Sequence, residues 1–183
     1  MRLELKDIKE GLLEQEYTCL PDDFPELVSL AEERGPRFLP PLEFRLRFQR
    51  VGRIVEVDGD FTAIIGLNCG RCLDAFELKV ADRFSLTFSP AKEDENREEE
   101  VELTSGELGL LTYRDDVLEL TEALQEQLLM ALPISPLCDS DCQGLCPECG
   151  QNLNIKDCGC VRTPFNNKFA ALAGMAFNKK QKE

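Results

Sequence analysis

The sequence predicts an α+β fold: an antiparallel β-meander or barrel-like sheet with flanking helices, followed by a small C-terminal module built around cysteine. Three observations lead there. Leu42 to Gln49 alternates apolar and polar residues without a break, the mark of a half-buried strand. Further alternating runs follow at hairpin spacing as far as Phe88. Beyond Pro133 the composition changes, and six of the nine cysteines crowd among Gly, Pro and Asp before residue 161.

Taken in order, the N-terminal segment through Lys9 reads as a strand. Asp23-Phe24-Pro25-Glu26 reads as a helix start, with Asp23 as N-cap and Pro25 in the first turn. Phe24, Leu27, Val28 and Ala31 then share one helical face, and Gly35-Pro36 ends the helix. Leu42–Gln49 is the first strand of the meander. Val51 to Val57 reads as the next, Asp58-Gly59 as a hairpin turn, and Phe61 to Leu67 as the returning strand. Phe76, Leu78 and Val80, then Phe84, Leu86 and Phe88, complete about four strands. Residues 91–102 read as a solvated acidic loop, because Glu93 to Glu100 carries six acids and no apolar side chain. Leu108 to Tyr113 and Val117 to Leu120 could pair across Arg114-Asp115-Asp116. Thr121 reads as the cap of a helix carrying Leu120, Leu124 and Leu128, which Pro133 ends. The division expected is a sheet domain over 1–132, a cysteine-rich module over 133–162, and a C-terminal helix and basic tail over 163–183. In that last piece Phe165, Phe169 and Leu172 lie on one stripe, expected to pack on the sheet or the module.

Charge and composition exclude several functions. Lys plus Arg number 21 against 35 Asp plus Glu, a formal net charge of −14. That field repels nucleic-acid phosphate, so a DNA-binding protein is not expected. No apolar run is long enough for a membrane helix, and the N-terminus has no continuous apolar stretch of a secretory signal, so a cytoplasmic protein is expected. There is no histidine, which excludes His-based acid–base catalysis and mixed Cys/His metal sites.

The cysteines carry the chemistry. In a reducing compartment they read as metal ligands or reactive thiolates, not disulfides. Cys146-Pro147-Glu148-Cys149-Gly150 can offer two sulfurs to one ion from a single tight turn, and Cys158-Gly159-Cys160 supplies two more. Four thiolates are the closed, structural zinc set, so this is expected to be a zinc-thiolate module. Cys69-Gly70-Arg71-Cys72 is a second C-x2-C. Counting suggests that Cys69, Cys72, Cys138 and Cys142 form a second site, which gives one Zn2+ ion or two. The alternatives are a metal-free Cys69–Cys72 pair, or a thiol redox or zinc-sensing protein that uses it. Cys19 reads as a buried small apolar residue. A closed zinc site activates no water, and no phosphate loop or nucleophile elbow appears, so no enzyme is expected. One basic run stands out: Arg34, Arg37, Arg45, Arg47, Arg50 and Arg53, opposed within it only by Glu43. Arg45, Arg47, Arg50 and Arg53 are candidate contacts to RNA or a partner, set against the plainer reading that they pair with neighbouring acids.

Asn68-Cys69-Gly70-Arg71-Cys72-Leu73, the acidic stretch, Leu120 to Pro133, the run Leu137 to Asn154 and Cys158-Gly159-Cys160 occur here in the order seen in the YceD family, named for large ribosomal RNA subunit accumulation. The chain resembles that family over nearly its whole length. It departs after the last cysteines, where the family's usual Asp-Pro-Arg is Thr163-Pro164-Phe165. The resemblance implies a bacterial cytosolic factor in ribosome biogenesis, without known catalytic activity, needed for accumulation of large-subunit rRNA. The implied partners are a large ribosomal subunit precursor, a ribosomal protein or rRNA. Either the face carrying Arg45 and Arg47 touches precursor rRNA, or the acidic body shields a basic protein; the net charge favours the second.

Overall fold

The computed structural model describes residues 1–8, 11–33, 35–91 and 109–161. The expected acidic loop beyond Ala91, the C-terminal helix and tail over 163–183, and Arg34 lie outside the described residues. A five-stranded open sheet dominates, in the order β2-β3-β4-β5-β6. Its strands are β2 (Leu12–Cys19), β3 (Arg37–Val51), β4 (Ile54–Asn68), β5 (Ala75–Pro90) and β6 (Leu110–Tyr113). A two-stranded sheet pairs β1 (Arg2–Glu4) with β7 (Val117–Glu119). Helix α1 spans Pro25–Glu32 and α2 spans Leu120–Met130.

Period-2 patterning builds the main sheet. On β3, Phe38, Leu42, Phe44, Leu46 and Phe48 are buried while the residues between them face solvent. Val55, Val57, Phe61, Ala63 and Ile65 continue that inner face on β4. Phe24 and Leu27 of the α1 segment and Leu120, Leu124 and Leu128 of α2 share the same core. Each such buried side chain contributes roughly 1.5–3 kcal/mol relative to exposure. Pro40-Pro41, joined by a cis peptide, fall where the β3–β4 register shifts between Leu39 and Glu43, a position where missing N–H donors break no ladder.

Several expectations are corrected. The sheet is open, not barrel-like, and β6 joins β5 in parallel. Asp58-Gly59 is not a turn. It lies inside β4, with Gly59 paired to Leu46 and Phe84. A Cβ at Gly59 would come within 2.4 Å of the Phe84 ring, so glycine serves close approach there. The turn is Gly52-Arg53, where Gly52 takes φ +64°. Val51–Val57 and Phe61–Leu67 are therefore not separate strands: Val51 ends β3, and β4 runs from Ile54 through Val57 and on through Leu67. Phe76 to Phe88 is likewise one strand.

The N-terminal strand stops at Glu4, and Leu5–Asp7 form a 3₁₀ turn instead. β2 was not anticipated; polar Gln15 on its inner side blurs the alternation. Asp23 does not cap α1: its carboxylate accepts from the Leu20 N–H at 2.8 Å and closes the 3₁₀ turn Pro21–Asp23. The α1 terminus is served instead from α2, where buried Gln125 accepts from the Glu26 N–H at 3.0 Å. Thr121 does not cap α2. It lies within the helix, and its hydroxyl accepts from the Met1 ammonium. The expected hairpin of β6 and β7 is reduced to one bridge, Arg114 to Val117, because the two strands enter different sheets.

Candidate metal centres

Both C-x2-C turns use one backbone device. In the first, the Leu73 N–H donates to the Cys69 carbonyl at 3.0 Å and the Cys69 N–H to the Asp74 carbonyl at 2.9 Å. In the second, the Gly150 N–H donates to Cys146 O at 2.9 Å and the Cys146 N–H to Gln151 O at 2.8 Å. The residue after the second cysteine is left-handed in both, Leu73 at φ 65° and Gly150 at φ 74°. That curl turns amides toward the first sulfur; the Arg71 N–H reaches Cys69 Sγ at 3.4 Å.

The fold brings Cys69, Cys72, Cys138 and Cys142 together in one group and Cys146, Cys149, Cys158 and Cys160 in another, the sulfurs of each within 4.8 Å of one another. Cys69 Sγ lies 3.7 Å from Cys142 Sγ, and Cys72 Sγ 3.6 Å from Cys138 Sγ. Four sulfurs at a zinc–thiolate bond length of about 2.3 Å stand about 3.8 Å apart, so the spacing and the all-sulfur donor set suit a soft divalent ion. None of the eight is joined in a disulfide, nor is Cys19, which is buried.

The electrostatics of each tetrad are uneven. The Cys72 amide of its own turn, and then the Cys138 amide brought in from the cysteine-rich segment, hold the Cys69 thiol down to about 6. The Cys149 amide, then that of Glu148, holds Cys146 down to about 7. At Cys72 the Asp74 amide pulls down, but burial and the crowd of sulfurs outweigh it and push the thiol up to about 12. Cys158, Cys149 and burial push Cys160 to about 12 as well. Each site thus has one ready thiolate and neighbours that resist ionising beside it, a conflict that a bound cation relieves.

The first tetrad is shared between the β4–β5 turn and the cysteine-rich segment. Three of its sulfurs are buried, with Phe76 and Leu137 packed against them. Contacts that the spacing rules do not show lock it. The Arg71 guanidinium donates to Cys142 O at 2.9 Å, Asn154 Nδ2 donates to Cys142 Sγ at 3.2 Å, and Asn152 Nδ2 donates to Asp74 at 2.7 Å. The Leu145 N–H donates to Arg71 O at 3.1 Å, and Gly144, at φ +74°, is favoured there because a Cβ would press to 3.1 Å from that same oxygen. In the second tetrad only Cys146 is buried.

Arg45 and Arg47 share the solvent face of β3 and line one cavity with Arg83, interleaved with carboxylates. Arg45 stands between Glu16 of β2 and Asp60 of β4, with Nε 3.5 Å from the Asp60 carboxylate, and Arg47 stands between Glu14 and Asp58. Arg50 donates to Leu5 O at 3.2 Å and Gly52 O at 2.9 Å, which ties the β3–β4 turn to the N-terminus. Arg53 is exposed in that turn, its carbonyl accepting from the Tyr113 hydroxyl at 2.7 Å.

Comparison with known proteins places this architecture. The family model described as "Large ribosomal RNA subunit accumulation protein YceD" matches residues 57–176, which take in both tetrads, most of β4 and all of β5 and β6. The chain belongs to the YceD family. Among curated proteins, "Large ribosomal RNA subunit accumulation protein YCED homolog 1, chloroplastic" of Arabidopsis thaliana is 23% identical over 163 residues, covering 78% of this chain and 51% of the relative. Uncharacterised proteins of Mycobacterium leprae and Mycobacterium tuberculosis are 29% and 32% identical, covering 63% and 60% of this chain and 51% and 50% of the relatives. The chain spans about half the length of the curated relatives it matches. No solved structure matches it. The YceD family is named for an accumulation role and for no catalytic one. Among the described residues no helix of this YceD-family chain is long and apolar enough to cross a membrane.

Proposed function

We propose that this YceD-family chain is a non-enzymatic, cytoplasmic factor in ribosome biogenesis that supports accumulation of large-subunit rRNA by binding an assembly partner. Two Zn2+ ions hold residues 133–162 as a rigid module. Cys69, Cys72, Cys138 and Cys142 bind one, and Cys146, Cys149, Cys158 and Cys160 bind the other. The observation that carries the reading is the first tetrad: two of its cysteines come from the β4–β5 turn of the sheet and two from a segment with no α-helix or strand among its described residues. A metal there orders the module and fixes it to the sheet, which makes one binding body of two parts. A basic ribosomal protein or assembly factor suits the charge of −14 better than bare rRNA, since Arg45 and Arg47 are flanked by carboxylates on both sides.

Capture on immature large subunits tests this reading. Zinc-loaded protein is expected to co-purify with precursor particles and to bind naked rRNA fragments weakly in a salt-dependent filter assay. Tight rRNA binding by the pure protein contradicts the shielding role. A zinc-free protein with a cycling Cys69–Cys72 disulfide contradicts the module and supports a redox role.

A further inference from the structure

The two edges of the main sheet differ in how they treat another strand. Among the described residues nothing pairs with the outer edge of β2, nor with that of β5 before Thr87, where β6 begins. On β2 the solvent-facing side chains nearest the edge include Glu14 and Glu16, both exposed. Antiparallel pairing of β2 with its own copy sets these carboxylates against each other, a familiar guard on an open edge.

The β5 edge carries the opposite pattern. Its solvent side presents Glu77, Lys79 and Arg83, all exposed. Its inner side presents Phe76, Leu78, Val80 and Phe84, only partly buried where the matching residues of β3 and β4 are covered. The free stretch Ala75–Leu86 is bounded by the Cys69 turn at one end and by β6 at the other. A two-fold axis through Val80 pairs Ala75 with Ser85 of a second copy and so uses almost the whole stretch. The same axis sets Glu77 against Arg83 and Phe76 against Phe84, each twice. Sliding the copy by two residues opposes like charges in either direction: Lys79 meets its own equivalent, or it meets Arg83. Asp82 opposes Leu78 in the matched register; it is exposed, and its carboxylate accepts from the Arg83 N–H at 2.8 Å, a bond that ladder pairing at Arg83 would have to replace.

We propose that the chain forms a two-fold dimer through antiparallel β5–β5 pairing centred on Val80, joining two five-stranded sheets into one. The occupant of the edge is a second copy because the charges along it are complementary to themselves. The pairing is independent of which metal, if any, the cysteines hold.

Sedimentation velocity on the full chain across a concentration series is the test, with Glu77→Arg and Arg83→Glu as variants. The wild type is expected to pass from monomer to dimer with no larger species. Each single variant turns both ion pairs into like-charge pairs and is expected to raise the dissociation constant at least about tenfold. An equal mixture of the two variants is expected to recover dimer, since each copy then supplies the charge that the other lost. Hydrogen exchange on the wild type should show amides of residues 76–84 becoming protected as concentration rises. A wild type that stays monomeric overturns the proposal. So do open-ended growth, a mixture no more dimeric than its components, or concentration-independent exchange over 76–84.

Discussion

The two cysteine turns share a backbone and differ in what they anchor. The Cys69 turn joins parts of the chain far apart in sequence, since Cys142 reaches Cys69 across 73 residues. Its sulfurs are largely buried, and Arg71, Asn152 and Asn154 brace it. The Cys146 turn closes on cysteines no more than 14 residues away, and Cys149 and Cys160 are exposed. A local site orders its own loop. A long-range site decides whether two parts of the protein move as one, because closing a long loop removes more chain entropy from the unfolded ensemble.

The largest consequence concerns ligand removal. Cys69→Ser is expected to lose one zinc and to free residues 133–161 from the sheet, seen as rapid proteolysis just beyond α2. Cys158→Ser is expected to lose one zinc while that connection survives. Equal proteolysis of the two variants would erase the distinction between the sites. Chelation comes next. Zinc release to a strong chromogenic chelator is expected in two phases, the exposed tetrad first and the buried one more slowly. Cys158→Ser should delete the fast phase only, and a single phase in the wild type would break the comparison.

Smaller effects follow from the left-handed residues. Gly150→Ala puts a Cβ where φ is 74°, a cost of about 1 kcal/mol in the zinc-loaded protein. Leu73→Gly relieves the same conformation in the other turn, and Leu73 is 66% exposed, so little packing is lost. A gain of up to about 1 kcal/mol is expected by thermal denaturation. A loss instead would mean that Leu73 packs against something in solution. Smallest is Asn154→Ala, which removes the donor to Cys142 Sγ at an expected cost of ~1 kcal/mol, with the chelator's slow phase accelerated and the fast phase unchanged.

Where the physics is local, the sequence was a good guide. The strict alternation of β3 reappears as a buried face of Phe44, Leu46 and Phe48. The C-x2-C spacing marks Cys69–Cys72 and Cys146–Cys149 as local turns, whereas the meeting of Cys138 and Cys142 with Cys69 and Cys72 is long-range and rested on counting alone. Gly59 was misread because Asp-Gly is also the dipeptide of a hairpin turn; what distinguishes the two is Phe84, which only strand pairing brings there. Asp23 and Thr121 look like caps, yet α1 and α2 both lack a side-chain cap at the N-cap position, and Gln125, remote in sequence, serves α1. The parallel β5–β6 ladder and the parting of β6 from β7 are matters of topology, to which alternation is blind.

Native mass spectrometry of the intact chain, with Cys69→Ser and Cys158→Ser beside it, tests the central claim most directly. The account predicts two zinc ions on the wild type and one on each variant, with unfolding of the module only in Cys69→Ser. A wild type that carries no metal, or one ion that survives both substitutions, would contradict it.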